Sequence, residues 1–214
     1  MKVRRALRIG IALATLVGSA MEARRGLPDW ERTIFRRIND APDGLAPLAW
    51  VPMQAGSLSA PFALAGWSYL RTRRPDPAVA YAAAGFTTWL VAKGVKKIVG
   101  RGRPYDHDRT TNLRLATQTD GSLGYVSGHA AVASTLATII ARDRSAAEGI
   151  ALQGFALGVG VTRIYAGAHL PLDVVGGAAL GVLVGEATNS VRTRCARRSP
   201  YSVTTPLLLK AHSP

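Results

Sequence analysis

Three short polar islands interrupt an otherwise Ala-, Leu-, Val- and Gly-rich sequence, and their side chains suit one kind of chemistry. The first is Lys96-Lys97-Ile98-Val99-Gly100-Arg101-Gly102-Arg103-Pro104, with Arg103 seven positions after Lys96. The second is Tyr125-Val126-Ser127-Gly128-His129. The third runs from Thr162-Arg163 through Gly167 and His169 to Pro171 and Asp173. Cations and backbone N–H groups suit an oxyanion. A histidine backed by a carboxylate suits nucleophilic or acid–base work. The combination implies a site that processes phosphate.

Each island has its own logic. Arg103 offers a planar fork to two phosphate oxygens, and Lys96 supplies a point charge. Seven residues is nearly two helical turns, but Gly100 and Gly102 should fray the helix and Pro104 should end it. Taken alone, basic residues at a helix end more often reach for lipid headgroups. Ser127 sits where an N-cap is expected, ahead of the apolar run 130–141. A helix N-terminus carrying Gly128 presents free N–H groups to an anion, and His129 in the first turn faces the same anion. In the third island Gly167 breaks one helix, Pro171 starts the next, and His169 lies in the link. Asp173, four residues later, reaches back to one imidazole nitrogen, fixing the tautomer and freeing the other nitrogen to attack. Arg163 ends the preceding helix beside this pair.

The elements that must position these residues are apolar helices. The chain has 214 residues, 48% of them apolar, with mean hydropathy +0.11 and net charge +14. Its charges cluster in short blocks between segments long enough to cross, or nearly cross, a bilayer. Six spans follow: 6–23, 45–70, 78–95, 124–141, 147–165 and 171–187. The first is read as a retained span rather than a cleaved signal peptide. Trp50, Trp67 and Tyr69 stand near the ends of the second, as interfacial aromatics do. Within the charged connection 22–44, Trp30, Ile34, Phe35 and Ile38 recur at helical spacing, opposed by Glu31, Arg32, Arg36 and Arg37. That predicts an amphipathic helix on the bilayer surface. Gly154/Gly158 and Gly177/Gly181/Gly185 repeat every fourth residue, which predicts close helix approach inside the bundle. The chain divides into an N-terminal helix with an interfacial segment (1–44), a core (45–190) and a basic tail (191–214) expected to be mobile.

Composition also excludes. The basic residues flank apolar segments without interleaved aromatics, so a bilayer and a phosphorylated lipid fit better than nucleic acid. Cys195 is the only cysteine, so no internal disulfide forms. Asp106, His107 and Asp108 are adjacent and point in different directions, so no metal site or cofactor is expected there. Oligomeric state is left open. If Lys2–Arg8, Arg71–Arg74, Arg142–Arg144 and the 192–197 tail all lie on the cytoplasmic side, the three islands lie outside.

In order and spacing, the islands resemble the type 2 phosphatidic acid phosphatase superfamily, which also includes vanadium haloperoxidases. Its pattern is K-x6-RP, then PSGH, then SR-x5-H-x3-D. Lys96 to Arg103-Pro104 matches outright, Val126 replaces the proline before Ser127-Gly128-His129, and Thr162 replaces the serine before Arg163, His169 and Asp173. The resemblance covers about residues 45–190. It implies an all-α, integral-membrane six-helix bundle. By this likeness Lys96, Arg103 and Arg163 hold the phosphoryl group with help from Ser127 and Gly128. His169 is the nucleophile, Asp173 orients it, and His129 protonates the leaving oxygen. The implied activity is metal-independent hydrolysis of a polyprenyl (di)phosphate or related phospholipid phosphate through a phosphohistidine. Alternatives within the class are a decaprenyl-phosphoryl-pentose-phosphate phosphatase of arabinan synthesis and a phosphatidylglycerol phosphate or phosphatidic acid phosphatase. A vanadate-dependent haloperoxidase is disfavoured by the spans. A non-catalytic lipid-binding protein is disfavoured by the complete His169, Asp173 and His129 set.

Overall fold

Proline, glycine and serine punctuate the helices largely where local sequence chemistry demands. The computed structural model describes residues 2–114 and 122–198, and the regular elements among them are helices. They are α1 (Lys2–Arg24), α2 (Asp29–Asn39), α3 (Ala46–Gln54), α4 (Ser59–Thr72), α5 (Pro75–Val99), α6 (Pro104–His107), α7 (Gly128–Ile140), α8 (Ala146–Tyr165) and α9 (Pro171–Arg198). Helix α5 opens on Pro75 and closes at Gly100, whose φ of +70° is the left-handed conformation that a helix-ending glycine adopts. Ser145 and Glu148 cap α8 reciprocally, each accepting from the other's backbone N–H, at 3.2 and 2.9 Å.

Helix α7 is the core. Residues 130–139 are all buried, and the helix packs against α5, α8 and α9. Its approach to α9 relies on glycine. A Cβ at Gly177 would lie 2.5 Å from the Ser127 carbonyl oxygen, one at Gly181 would collide with Ala131 O, and one at Gly185 would meet Thr138 Cβ at 2.5 Å. The expected bundle packing therefore holds for the α9 stripe. It does not hold for α8, where Gly154 and Gly158 face open space. Helix α1 lies along α9. Arg5 donates to Glu186 and Ser190 at one end, and Arg24 donates to Ile98 O (2.7 Å) at the other.

All six expected spans contain helix, with changed limits. Segment 45–70 is not one span: it divides into α3 and α4 around Gly56. A Cβ at Gly56 would sit 2.5 Å from His129 O and 2.8 Å from Val159 Cγ1, so the chain turns there against α7 and α8. The fourth span begins only at Gly128, and α9 runs on to Arg198, so the first part of the expected tail is helical; residues 199–214 lie outside the described residues. Pro104 opens α6 instead of only ending α5. Among the described residues, α1, α5 and α9 are long and apolar enough to cross a membrane. Their outward faces expose Leu7, Ile11, Val79, Phe86, Leu90 and Val175, and Trp50, Trp67 and Tyr69 are also exposed. So broad an apolar girdle suits lipid rather than water.

Helix α2 departs most from expectation. Glu31, expected on its polar face, is 0% exposed, whereas Trp30 is 48% exposed. The inward face is Glu31, Phe35 and Asn39, at spacing i, i+4, i+8, and Phe35 joins Ala130, Ile164, Leu170 and Val174 in one apolar cluster. Thus α2 is docked on the core, with Trp30 and Ile34 left facing outward.

Candidate active site

The three polar islands converge at one end of the bundle. Lys96, in the last turn of α5, donates from Nζ to the carbonyls of Leu123 (3.1 Å) and Gly124 (2.9 Å), joining the first island to the approach of the second. Gly124 N donates to Arg101 O at 2.7 Å. Ser127 caps α7 by accepting from Ala130 N, and its own N–H donates to Asp173 O at 2.8 Å. Backbone hydrogen bonds therefore lock the second island onto the first and the third. A Cβ on Gly128 would meet nothing within 4 Å, so the helix N-terminus opens onto free space at that point.

In the third island, Gly167 takes φ +72° and α9 starts at Pro171, as the sequence requires. His169 is 3% exposed and Asp173 is fully buried. His169 Nδ1 lies 3.4 Å from Asp173 Oδ2, which also accepts from Leu170 N at 2.9 Å. This leaves Nε2 as the free nitrogen. Burial pushes the His169 imidazole well below the ordinary 6.5, and the positive charges of Lys96, Arg163 and Arg103 push it the same way. It is therefore neutral, with a lone pair available, near pH 7.

The cations are short of anions. Among the described residues, Lys96, Arg103 and Arg163 form no ion pair. Arg163 is buried on α8, where its Nη1 meets Met53 Sδ at 2.7 Å. Among the described residues, the buried Nε atoms of Arg103, Arg163 and Arg101 have no hydrogen-bond partner. Such unpaired cationic donors suit an oxyanion. Asp106 and Asp108 have protein partners. Asp106 accepts from Arg103 N at 2.8 Å. Asp108 accepts from Arg36 and from Thr110, whose hydrogen bonds chiefly hold its carboxyl down to about 2.

Over residues 76–197 the chain matches the PAP2 superfamily. It belongs to that family. Among curated PAP2 relatives, the lipid A 1-phosphatase of Rhizobium etli is 32% identical over 146 residues, covering 61% of this chain and 60% of that protein. The chain thus spans less than two thirds of that relative. The decaprenylphosphoryl-5-phosphoribose phosphatase of Mycobacterium tuberculosis is 34% identical over 130 residues, covering 60% of this chain and 68% of that protein. Among solved PAP2 structures, LpxE of Aquifex aeolicus superposes with a TM-score of 0.64 at 26% identity, over 74% of this chain and 93% of that one. The transmembrane PAP2-type phosphatidylglycerolphosphate phosphatase of Bacillus subtilis gives 0.67 over 88% and 98%, and at 17% identity it speaks for the fold alone. With this family and its apolar helices, the chain is a membrane protein.

Two buried residues here were not singled out by the sequence. Arg101 donates from Nη1 to Asp173 Oδ1 (3.2 Å) and to Glu31 Oε1 (3.0 Å), and its Nη2 bonds Glu31 Oε2. Glu31 Oε1 accepts in addition from Leu172 N at 2.8 Å. The legible signal for Glu31 was its spacing to Phe35 and Ile38, i+4 and i+7, which placed it on their face. Arg101 was hidden among the other basic residues of its island.

Proposed function

We propose that the chain is a membrane lipid-phosphate phosphatase that works through a phosphohistidine. The observation that carries this reading is the set of three cations that form no ion pair among the described residues, gathered around a neutral His169 that is paired with Asp173. Lys96, Arg103 and Arg163 hold the phosphoryl oxygens, with the α7 N-terminus at Ser127-Gly128 assisting. His169 Nε2 forms a bond to phosphorus as the bond to the lipid oxygen breaks, and His129 donates a proton to that oxygen. Asp173 keeps the Nδ1 proton in place and stabilises the imidazolium character that develops. Water then attacks phosphorus and gives its proton to His129. The P–N bond breaks and inorganic phosphate leaves.

The substrate class is a polyprenyl phosphate, polyprenyl diphosphate or related phospholipid phosphate. A decaprenylphosphoryl-pentose phosphate is the second reading, favoured by the relative named for that substrate. The protein crosses the bilayer several times, with 45–190 as the phosphatase core and the site on the extracytoplasmic side.

The test is phosphate release by purified protein in micelles across these lipids and phosphatidic acid, with and without EDTA and vanadate. Release that persists in EDTA, falls with vanadate and vanishes in His169→Ala is expected. Release from none of them, or turnover that needs added Mg²⁺, overturns the reading.

A further inference from the structure

Glu31 and Arg101 lie directly behind the His169–Asp173 pair, and their partners are divided between them in a telling way. Asp173 spends Oδ2 on His169 and Leu170 N, and Oδ1 on Arg101. Among the described residues Arg101 is thus the only side chain bonding Oδ1, and it determines which way the carboxylate plane turns. Its guanidinium is in turn held by Glu31 through both Nη atoms, with Gly26 O accepting from Nη2 at 3.1 Å. Glu31 also bonds Leu172 N, inside the first turn of α9, one residue before Asp173. The same carboxylate therefore anchors both the cation that faces Asp173 and the backbone that carries it. The side chains of Arg101, Glu31 and Asp173 are 1%, 0% and 0% exposed, so water does not substitute for any of these bonds.

The geometry points to Glu31 and Arg101 as positioning residues for the nucleophile: Glu31 holds Arg101 against Asp173, and so directs Asp173 Oδ2 at His169 Nδ1. This rests on the reading of His169 as the attacking group. Arg101 stands in the same basic island as Lys96 and Arg103 and, like Arg103 and Arg163, has a buried Nε without a partner among the described residues. Unlike theirs, its Nη atoms are committed to carboxylates, so its fork is turned toward Asp173 and Glu31. Glu31 lies on α2, outside the 76–197 segment that matches the family. Helix α2 thus contributes to the site through its buried face. A buried guanidinium bridging two carboxylates is held in place only while both are present, so loss of Glu31 frees Arg101 to swing and Asp173 to rotate.

The experiment compares Glu31→Gln, Arg101→Lys and the paired Glu31→Leu/Arg101→Met with wild type. The pair removes both charges together and so guards against simple misfolding. Glu186→Gln, a buried carboxylate at the opposite end, is the control for general destabilisation. We expect kcat to fall roughly 10- to 100-fold, the scale of losing an orienting partner behind a functional histidine, with KM unchanged and phosphoenzyme formation slowed. Glu31→Gln added to Asp173→Asn should cost nothing further, because both act on one bond. Folded variants with wild-type kcat, or with a raised KM alone, overturn the assignment; so does full additivity with Asp173→Asn. If the wild type releases no phosphate from any lipid, the phosphatase reading fails separately. The positioning claim is then decided by ¹⁵N shifts of the His169 ring in labelled protein. These should move in Glu31→Gln and not in Glu186→Gln, and unmoved shifts in Glu31→Gln overturn it.

Discussion

The hydroxyls of Tyr125 and Ser19 meet at 2.9 Å across 106 positions of sequence, and Tyr125 also donates to Leu16 O at 2.9 Å. The first helix is thereby bonded to the residue two before Ser127. Tyr125→Phe removes the hydroxyl while Ser19 keeps its bond to Thr15 O. It should lower stability by about 1 kcal/mol, the net worth of a typical buried hydrogen bond. Thermal unfolding in detergent reads the loss. A fall in kcat with an unchanged Tm would instead assign the α1 contact to the site itself.

Gly177 and Gly158 look alike in sequence and should respond oppositely. A Cβ at Gly177 meets the Ser127 carbonyl at 2.5 Å, so Gly177→Ala should force α7 and α9 apart and cost about 1–3 kcal/mol. Gly158 faces open space, so Gly158→Ala should be neutral or gain up to about 1 kcal/mol from helix propensity. Equal melting temperatures for the two variants would show that the tight α7–α9 approach is not needed.

The proposed mechanism gives the two histidines different jobs, which separate by leaving group. His169→Ala should trap no labelled phosphoenzyme on acid quench. His129→Ala should lose about 10²–10⁴-fold on a poor leaving group, the usual worth of a general acid. That loss should shrink on a nitrophenyl phosphate or a diphosphate, whose leaving group needs no proton. Asp173→Asn should hurt both substrates alike. Equal loss on both substrates in His129→Ala contradicts the role assignment.

The pH profile should reflect a histidine held neutral. Because burial and three neighbouring cations lower the His169 pKa, the acid limb of kcat/KM for this group should lie below the ordinary value of 6.5. Stability follows the same sign. The unfolded chain binds this proton at higher pH than the folded one, so the contribution is complete above about 6.5. It is lost as pH falls from there toward the folded value. Unfolding measured from pH 7.5 to 5 should show that slope in wild type, and a shallower one in His169→Asn.

Orientation is testable at two loops on opposite ends. Arg36 bonds Thr110 beside the site, whereas Asp143 follows α7 at the far end, next to the start of α8. With Cys195 replaced by Ser, an impermeant thiol reagent added to intact cells should label Thr110→Cys and spare Asp143→Cys. The reverse pattern inverts the topology.

What could be read in advance was what depends on near neighbours along the chain. The spacing of His169 and Asp173 is one helical turn, so their pairing is local once Pro171 starts α9. Gly100, Ser127 and Gly167 likewise act through their own backbone, and the six apolar stretches declare helices by length and composition. The roles proposed for the three islands came from their resemblance to the family, which rests on such short-range patterns taken in order along the chain.

Tertiary structure decided what depends on which face meets which partner. Helical periodicity placed Glu31 with Phe35 and Ile38 as readily as with Arg32 and Arg36, and only an Arg101 seventy positions away makes burying a carboxylate tolerable. The break at Gly56 is set by the His129 carbonyl and the Val159 side chain, neither of which neighbours it in sequence. The two glycine stripes carry the same four-residue repeat, yet one presses on α7 and the other faces outward. Local patterns fix helices and turns because their interactions lie within a few residues. Buried ion pairs and close backbone contacts arise only when distant segments exclude water together.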